Sequence, residues 1–371
     1  MIKRSLNTFM NAFTASDWTM YPYCSQNKAD FNNLMDIYLD ASFYPELKEI
    51  NFLQEGHRLE FEKADDSSSD LKITGVVYNE MKGAMSSPSS VMHRRILQAL
   101  YPTTTYHNNS GGEPVNIPEL TYEQFVDFHK VHYHPSNAYF FTYGNLPLAE
   151  HLERIDNTVL SNFDKIDPGT DVPDEQRFSA AQKSEFSYPL DENDNDGAKN
   201  FVAVSWLTSK CTDPVEVLTL SLLETILLGH AGAPLNKALL ESKLGKGLVS
   251  GTGYDNENRE TSFTAGLEGV KEADIDKIEE LVLKTLNSIY ENGIDPKDIE
   301  SAIHQLEIAT REVSGDNFPY PLTILFRFVG AYLHDGDALA ALDFDKTLEV
   351  IKAKIEAANY LEESLKSHLI N

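Results

Sequence analysis

One glutamate, Glu80, stands where a side chain could hold a metal ion. The β-branched run from Ile73 to Tyr78 predicts a buried strand, and Asn79 predicts the cap of a helix that begins at Glu80. A carboxylate between a strand and a helix is held by rigid elements on both sides, which suits a metal ligand. The helix dipole also favours an acidic residue in a first turn, so the local sequence leaves both explanations open.

Three histidines, His129, His132 and His134, form a second candidate metal site. Residues three apart share a face of a helix, so His129 and His132 could chelate a metal. The cluster falls at the end of a predicted helix, where the dipole favours a protonated imidazole. No other histidine or cysteine lies close by in sequence, and the helix-end role is therefore preferred.

Other catalytic arrangements have no local signature in the chain. Neither a Ser-His-Asp nor a Cys-His pattern is present, and no glycine-rich phosphate loop follows a predicted strand. The pair Gly111-Gly112 predicts a structural turn. The chemistry of the sequence is therefore concentrated in its carboxylates and histidines.

The composition describes an acidic globular protein. The chain has 371 residues, 41% of them hydrophobic and 24% charged, which is enough for about two domains. Its formal net charge is −27, and its pI is about 4.7. A field of that sign repels phosphates, so nucleic acid and anionic membranes are not expected as partners, whereas cationic partners stay possible.

The cysteines and the hydropathy of the sequence bear on disulfides, membrane spans and secretion. The two cysteines, Cys24 and Cys211, lie far apart in strand-like segments, so no disulfide framework is expected. No apolar run approaches the roughly 18 residues needed to cross a bilayer. The first residues carry a basic pair without an apolar core behind it, which is unlike a secretory signal.

The order of predicted elements indicates an α+β protein with two domains. The first is predicted at 1–165, and a segment rich in Asp, Pro, Asn and Gly predicts a linker at 166–199. The second is predicted at 200–371. The first-domain strand prediction covers Ala138–Gly144; the second domain has predicted strands at 200–208 and 261–269, and helices that include 214–228 and 296–311.

Five ordered motifs resemble the presequence protease branch of the pitrilysin-type (inverzincin) zinc metalloproteases, over essentially the whole chain. The motifs are Asn11-Ala12-Phe13-Thr14-Ala15, Gln54-Glu55-Gly56, Gly75 to Gly83, Ser110-Gly111-Gly112-Glu113-Pro114, and His129 to Ala138. The resemblance implies two homologous domains, each a mainly antiparallel sheet packed with helices. Four such domains form two halves in that family, and this chain looks like most of the first half.

The resemblance implies that Glu80 is the distant zinc ligand of the complete enzyme. The family binds zinc through two histidines of an H-x-x-E-H helix, whose Glu is the general base, plus a downstream Glu. None of the eleven histidines of this chain begins that motif. The chain is therefore expected to be a fragment that lacks both ends, binds zinc weakly and cleaves nothing alone.

The resemblance also places Asn11, Ala12 and Phe13 on an edge strand that pairs with an extended peptide substrate. Taken alone, these residues favour an ordinary role in a sheet, with Phe13 in the core. The implied substrates are unstructured peptides such as cleaved targeting presequences, whose basic charge suits an acidic chamber. The second half of the same polypeptide is the implied partner, and the implied compartment is soluble and intracellular, either bacterial cytoplasm or mitochondrial matrix.

A second function remains open on the sequence. Pitrilysin-like folds also serve as non-catalytic structural or peptide-binding subunits. A subunit without catalysis would have little reason to keep Asn79-Glu80-Met81 at the ligand position. The metalloendopeptidase interpretation is preferred for that reason.

Overall fold

A computed structural model describes residues 5–190, 197–315, 317–357 and 359–370. Its elements as far as the middle of the chain are β1 Asn7–Met10, β2 Phe13–Thr14, β3 Thr19–Met20, β4 Tyr23–Ser25, α1 Lys28–Phe43, α2 Glu49–Glu55, β5 Arg58–Phe61, β6 Leu71–Thr74, α3 Val76–Ala84, α4 Pro88–Leu100, α5 Tyr122–His132 and α6 Leu148–Thr158. The later elements are β7 Ala198–Lys210, α7 Pro214–Leu228, α8 Pro234–Glu241, β8 Gly247–Leu248, β9 Gly253–Asp255, β10 Glu260–Lys271, α9 Ile275–Asn292, α10 Pro296–Arg311, α11 Tyr320–Leu333, α12 Ala338–Leu342, α13 Phe344–Glu356 and α14 Tyr360–Leu369. This mixture of helices and antiparallel strands confirms the α+β class.

The described residues divide into two compact units. The first unit holds the residues up to 86 together with 108–171. The second holds 87–107 together with the residues from 172 onward. Helix α4 therefore belongs to the second unit, although the sequence on either side of the 87–107 segment belongs to the first.

The second unit is built on two long antiparallel strands, β7 and β10. Phe263 lies opposite Trp206, and Ala265 lies opposite Val204. Strands β8 and β9 also pair with β10. Both long strands were predicted from their apolar and β-branched residues, and the structure confirms them with one or two extra residues at each end.

Helices bury this sheet in one apolar core. Helix α7 begins as its sequence predicts, because the Asp213 side chain accepts hydrogen bonds from the amides of Val215 and Glu216, and Pro214 occupies its first turn. Its leucines pack with those of α9 and α14 around Phe263, which is fully buried. Among the described residues, no helix is long and apolar enough to span a membrane.

The first unit contains only two-stranded sheets among its described residues. Strand β1 pairs with β4, β2 with β3, and β5 with β6. The strand predicted at Ala138–Gly144 is wrong: this aromatic segment is not part of any strand, and Tyr139 and Tyr143 are exposed. Alternation predicts a strand only where a partner strand is available, and the structure pairs none with this segment.

The hairpin of β5 and β6 exposes an apolar face. Alternate residues of paired strands share one face, and here the cross-strand pairs are Leu59 with Ile73 and Phe61 with Leu71. All four side chains are exposed, and Leu59 retains 65% of its accessible surface. The opposite face carries Arg58, Glu60, Lys72 and Thr74. The hairpin is therefore amphipathic, with its apolar face in contact with solvent.

The predicted linker is packed along part of its length. The linker at 166–199 and the domains at 1–165 and 200–371 stay predictions, but residues 172–190 belong to the second unit. We call residues 172–190 the strap. Lys183 of the strap pairs with Asp276 at 2.8 Å, and the Arg95 guanidinium lies 5.0 Å from the centre of the Phe186 ring. A composition rich in polar residues therefore does not show that a segment is free of the fold.

A buried carboxylate, Glu175, anchors the strap. Its side-chain oxygens accept hydrogen bonds from the amides of Thr103 and Thr104, each at 3.1 Å, and from the Thr103 hydroxyl. Only 5% of Glu175 is exposed. Its own amide donates to the carboxylate of Glu260, which also pairs with Arg177 at 2.7 Å. The strap is thus bonded to both the 87–107 segment and β10.

The lowered pKa of Glu175 predicts that the second unit loses stability in acid. Burial raises the pKa of Glu175, but hydrogen bonds from Thr103, Thr104 and Gln176 lower it by more, so it lies below the usual 4.5. A lowered pKa stabilises the fold fully above that usual value, and the contribution is lost as the pH falls through the folded pKa. We expect the melting temperature of the second unit to decline below about pH 4.5, followed by circular dichroism.

A variant isolates the part due to Glu175, because other carboxylates also titrate in this range. Glu175→Gln cannot ionise, so its melting temperature should be lower at neutral pH and should decline less in acid. An equally steep decline in the variant would contradict the assignment.

Candidate functional site

Glu80 lies inside a helix rather than at its start. Strand β6 ends at Thr74, and α3 begins at Val76 with Gly75 as its N-cap. The predicted strand from Ile73 to Tyr78 and the predicted helix start at Glu80 are therefore wrong. The β-branched residues Val76 and Val77 are typical of strands, but β6 ends before them and Gly75 is already the N-cap of α3. Glu80 occupies the second turn of α3, where it is exposed to solvent.

Asn79 has a different role from the predicted cap. Its backbone amide makes a helical hydrogen bond to the Gly75 carbonyl at 3.0 Å, and its side-chain amide donates to the Thr74 hydroxyl at 3.2 Å. The residue before Glu80 therefore connects α3 to the end of β6.

Three motifs that are separate in sequence meet at α3. A β-carbon on Gly75 would lie 2.0 Å from the Gly56 carbonyl oxygen, and one on Gly111 would lie 2.3 Å from the Met81 sulfur. Such distances are shorter than any van der Waals contact, so both positions need glycine or a local shift. The Gln54-Glu55-Gly56 segment and the Ser110-Gly111-Gly112 turn thus both contact the helix that carries Glu80.

The described residues do not form a zinc site by themselves. A catalytic zinc ion takes three protein ligands and leaves one position open. No group of three His, Cys, Asp or Glu side chains in the described parts of the chain is arranged to hold a metal. Glu80 offers one carboxylate on a supported helix, which fits a single ligand, and further ligands would have to come from elsewhere.

The histidine cluster is occupied by local contacts. His129 donates a hydrogen bond from Nε2 to the Ser42 carbonyl at 2.9 Å, and His134 accepts one at Nδ1 from the Ser136 amide at 3.1 Å. The His132 ring packs on Phe128 with centroids 4.2 Å apart. Helix α5 ends at His132, so the cluster lies at a helix end as predicted. Each of the three imidazole rings contacts a different part of the chain.

The predicted peptide-binding residues lie at the break between β1 and β2. Asn11 and Ala12 are exposed and belong to neither strand, whereas Phe13 opens β2 and pairs with Met20. The Asn11 amide donates to the Pro22 carbonyl at 3.2 Å, and the Ala12 amide donates to the Asn11 side chain at 2.9 Å. Both amides are used within the hairpin, and the peptide-binding role stays a prediction.

The sequence did not predict the contact between Gly56 and Gly75. It joins residues 19 positions apart, and nothing local marks it except that each glycine follows a regular element. The role of His57 was missed for the same reason, because its Nε2 donates to the distant Leu120 carbonyl at 3.0 Å. A glycine directly after a strand was the available signal, since it often marks close approach of another backbone.

Comparison with known proteins decides the family. The family model described as "Peptidase M16 inactive domain" matches residues 119–306, about half of the chain. The chain belongs to the M16 peptidase family. The fold is similar to that of a protease from Helicobacter pylori, which superposes with a TM-score of 0.66 at 16% identity, over 99% of this chain and 80% of that one.

Curated relatives match the chain along its whole length. The mitochondrial presequence protease of Xenopus laevis is 43% identical over 370 residues, which is 99% of this chain and 36% of that protein. Protein HypA of Clostridium perfringens is 40% identical over 377 residues, which is 38% of its length. The chain thus spans little more than a third of these curated relatives. The M16 assignment confirms the resemblance to the pitrilysin-type proteases.

Proposed function

We propose that this chain is one part of a zinc metalloendopeptidase of the presequence protease type, which degrades unstructured peptides such as cleaved presequences. The observation that carries the proposal is the 43% identity to the Xenopus laevis presequence protease across 99% of the chain. The chain alone binds zinc weakly and does not cleave peptides, since it supplies one ligand and no general base. The remainder of the polypeptide completes the enzyme.

Glu80 is the zinc ligand that this chain contributes. Its carboxylate is exposed on α3, and α3 is supported at its N-terminus and along its side by Gly56 and Gly111. Rigid support suits a ligand, because a metal site tolerates only small errors in ligand position. Zinc, when bound, supplies a Lewis acid and lowers the pKa of a coordinated water.

The substrate is held by its main chain beside Asn11, Ala12 and Phe13. Among the described residues, β1 pairs with β4 alone and β2 pairs with β3 alone, so an extended peptide could add to an edge of either pair. Phe13 is half-buried and stacks on Phe9 with centroids 6.4 Å apart, which gives an apolar surface for a side chain. The net charge of −27 favours basic peptides. The compartment is the mitochondrial matrix or the bacterial cytoplasm, in keeping with relatives from both groups of organisms.

A second candidate is a non-catalytic subunit with the same fold. The match to the model of the M16 inactive domain favours it. The two functions differ in whether Glu80 binds metal once the rest of the protein is present. A subunit would bind peptides without zinc, whereas the metalloendopeptidase needs the Glu80 carboxylate.

A chimera tests the proposed function. The chain replaces the matching 370 residues of the Xenopus laevis presequence protease, and bound zinc and cleavage of a basic unstructured peptide are measured. We expect tight zinc binding and cleavage in the chimera, and only weak zinc binding without cleavage in the isolated chain. Glu80→Gln should weaken zinc binding by more than about 100-fold, because even the loss of an outer partner of a ligand costs about 10–100-fold.

The exposed helical Glu123 offers the matched control, and Glu123→Gln should leave zinc unchanged. Tight, stoichiometric zinc in the isolated chain would refute the proposal. Full zinc content in the Glu80→Gln chimera would show that Glu80 is not a zinc ligand. A chimera that binds the peptide, but neither binds zinc nor cleaves the peptide, would favour the non-catalytic subunit.

A further inference from the structure

Gly75 is buried and touches the backbone of another segment. A β-carbon there would lie 2.0 Å from the Gly56 carbonyl oxygen, 2.7 Å from the Gly56 carbonyl carbon and 2.9 Å from the His57 α-carbon. The φ angle of Gly75 is 165°, an extended value that any residue adopts. Glycine is therefore required at this position by close approach and not by backbone conformation.

The surface that Gly75 contacts is itself fixed. The Gly56 amide bonds to the Phe52 carbonyl at 2.8 Å and ends α2. Phe52 is buried, and its ring packs against the rings of His57 and Phe125 at centroid distances of 5.3 and 5.7 Å. The backbone at Gly56 is therefore held in place, because α2 ends at the contact and the buried Phe52 packs behind it.

A softer contact lies along the side of α3. The end of the Met81 side chain fills the space beside Gly111, and a methionine can change rotamer at low cost. The Gly83 position of the same helix has nothing within 4 Å of an added β-carbon. The contact at Gly75 is thus the rigid one, and it lies one residue before the helix begins.

We infer that Gly75 is a positioning residue for Glu80: its backbone contact with Gly56 and His57 sets the direction of α3, and α3 carries the carboxylate. Glu80 is five residues along from Gly75, so a small tilt at the N-cap displaces it. The role assigned to Glu80 rests on the proposed function. The contact itself is independent of that function and can be measured separately.

Three variants test the inference in the full 371-residue chain. Gly75→Ala introduces the clash, and Gly83→Ala places the same methyl group where α3 has room for it. Ile155→Ala removes a buried side chain of α6 and lowers the stability of the first unit away from α3. Hydrogen exchange of residues 79–84, measured by mass spectrometry, should be about tenfold faster in Gly75→Ala than in the unsubstituted chain, and neither of the others should reach that rate.

A metal readout separates positioning from general stability. In the chimera, Co²⁺ replaces zinc, and its visible absorption reports the geometry of its ligands. We expect Gly75→Ala to shift the bands and weaken Co²⁺ binding about tenfold, while Gly83→Ala and Ile155→Ala keep the parental spectrum. Binding and exchange together identify a residue that acts through the position of Glu80.

The outcomes distinguish the two proposals. Exchange in Gly75→Ala equal to that in Gly83→Ala would overturn the inference, whatever the metal results. An unchanged Co²⁺ spectrum in Gly75→Ala, together with a changed one in Glu80→Gln, would also overturn it. Retained metal in Glu80→Gln would instead overturn the proposed role of Glu80, and the exchange comparison would still decide whether Gly75 fixes α3.

Discussion

Replacing Glu175 by alanine is expected to lower the free energy of unfolding of the second unit by about 3 kcal/mol. The substitution removes the acceptor of the amides of Thr103 and Thr104, and Thr104 is buried. A buried donor left without a partner costs about 1–3 kcal/mol, and hydrogen bonds to a charged acceptor lie at the upper end. The loss also removes the hydrogen bonds that hold the strap to Thr103 and Thr104 of the 87–107 segment.

Limited proteolysis gives the second measurement of this substitution. Trypsin cuts after Arg177 and Lys183 once the strap detaches, so the cleavage rate should rise together with the loss of stability. Glu185→Ala is the matched control, because Glu185 lies on the same strap and is exposed. Equal stability and equal cleavage in the two variants would show that Glu175 does not anchor the strap.

Replacing Gly266 by alanine is expected to cost about 3 kcal/mol or more of the free energy of unfolding. Gly266 lies in β10 opposite Ala203, and a β-carbon there would be 2.0 Å from the Val202 carbonyl oxygen. That atom belongs to a paired strand, so the clash is relieved only by separating β7 from β10. Overpacking of this kind typically costs about 1–3 kcal/mol and occasionally more.

A second glycine of the same sheet serves as the control. A β-carbon on Gly247 would have its nearest neighbour, Glu268 Oε1, at an ordinary 3.6 Å. Gly247→Ala should therefore change stability by no more than about 0.5 kcal/mol. Urea unfolding can be followed by the fluorescence of Trp206, with Trp18 replaced by Phe to silence the first unit. Similar midpoints for the two variants would contradict the steric argument.

The sequence predicted the second unit far better than the first. Helices α7 and α10 begin and end where their proline starts and apolar periods predict. Long periodic elements around one core agree with their local signals, because burial and propensity favour the same structure. The short strands of the first unit gave weaker signals, and the aromatic alternation of 138–144 was mistaken for a strand.

The candidate site was predicted in part. The motifs located Glu80, but Val76 and Val77 were assigned to a strand, since β-branched residues favour strands when neighbours are unknown. The contact of Gly75 with Gly56 and the burial of Glu175 depend on segments that fold onto each other from a distance. Such contacts leave no periodic trace, and only the assembled backbone shows that a glycine or a carboxylate is needed there.

The exposed apolar face of the β5–β6 hairpin has a consequence for the behaviour of the chain in concentrated solution. This face is an exposed apolar surface on a molecule with a net charge of −27, and it is formed by Leu59, Phe61, Leu71 and Ile73. Charge repulsion between copies of the chain keeps these apolar faces apart at low ionic strength, but the range of that repulsion shrinks to about 10 Å in 0.1 M salt. Ionic strength therefore sets how readily copies of this chain adhere and aggregate.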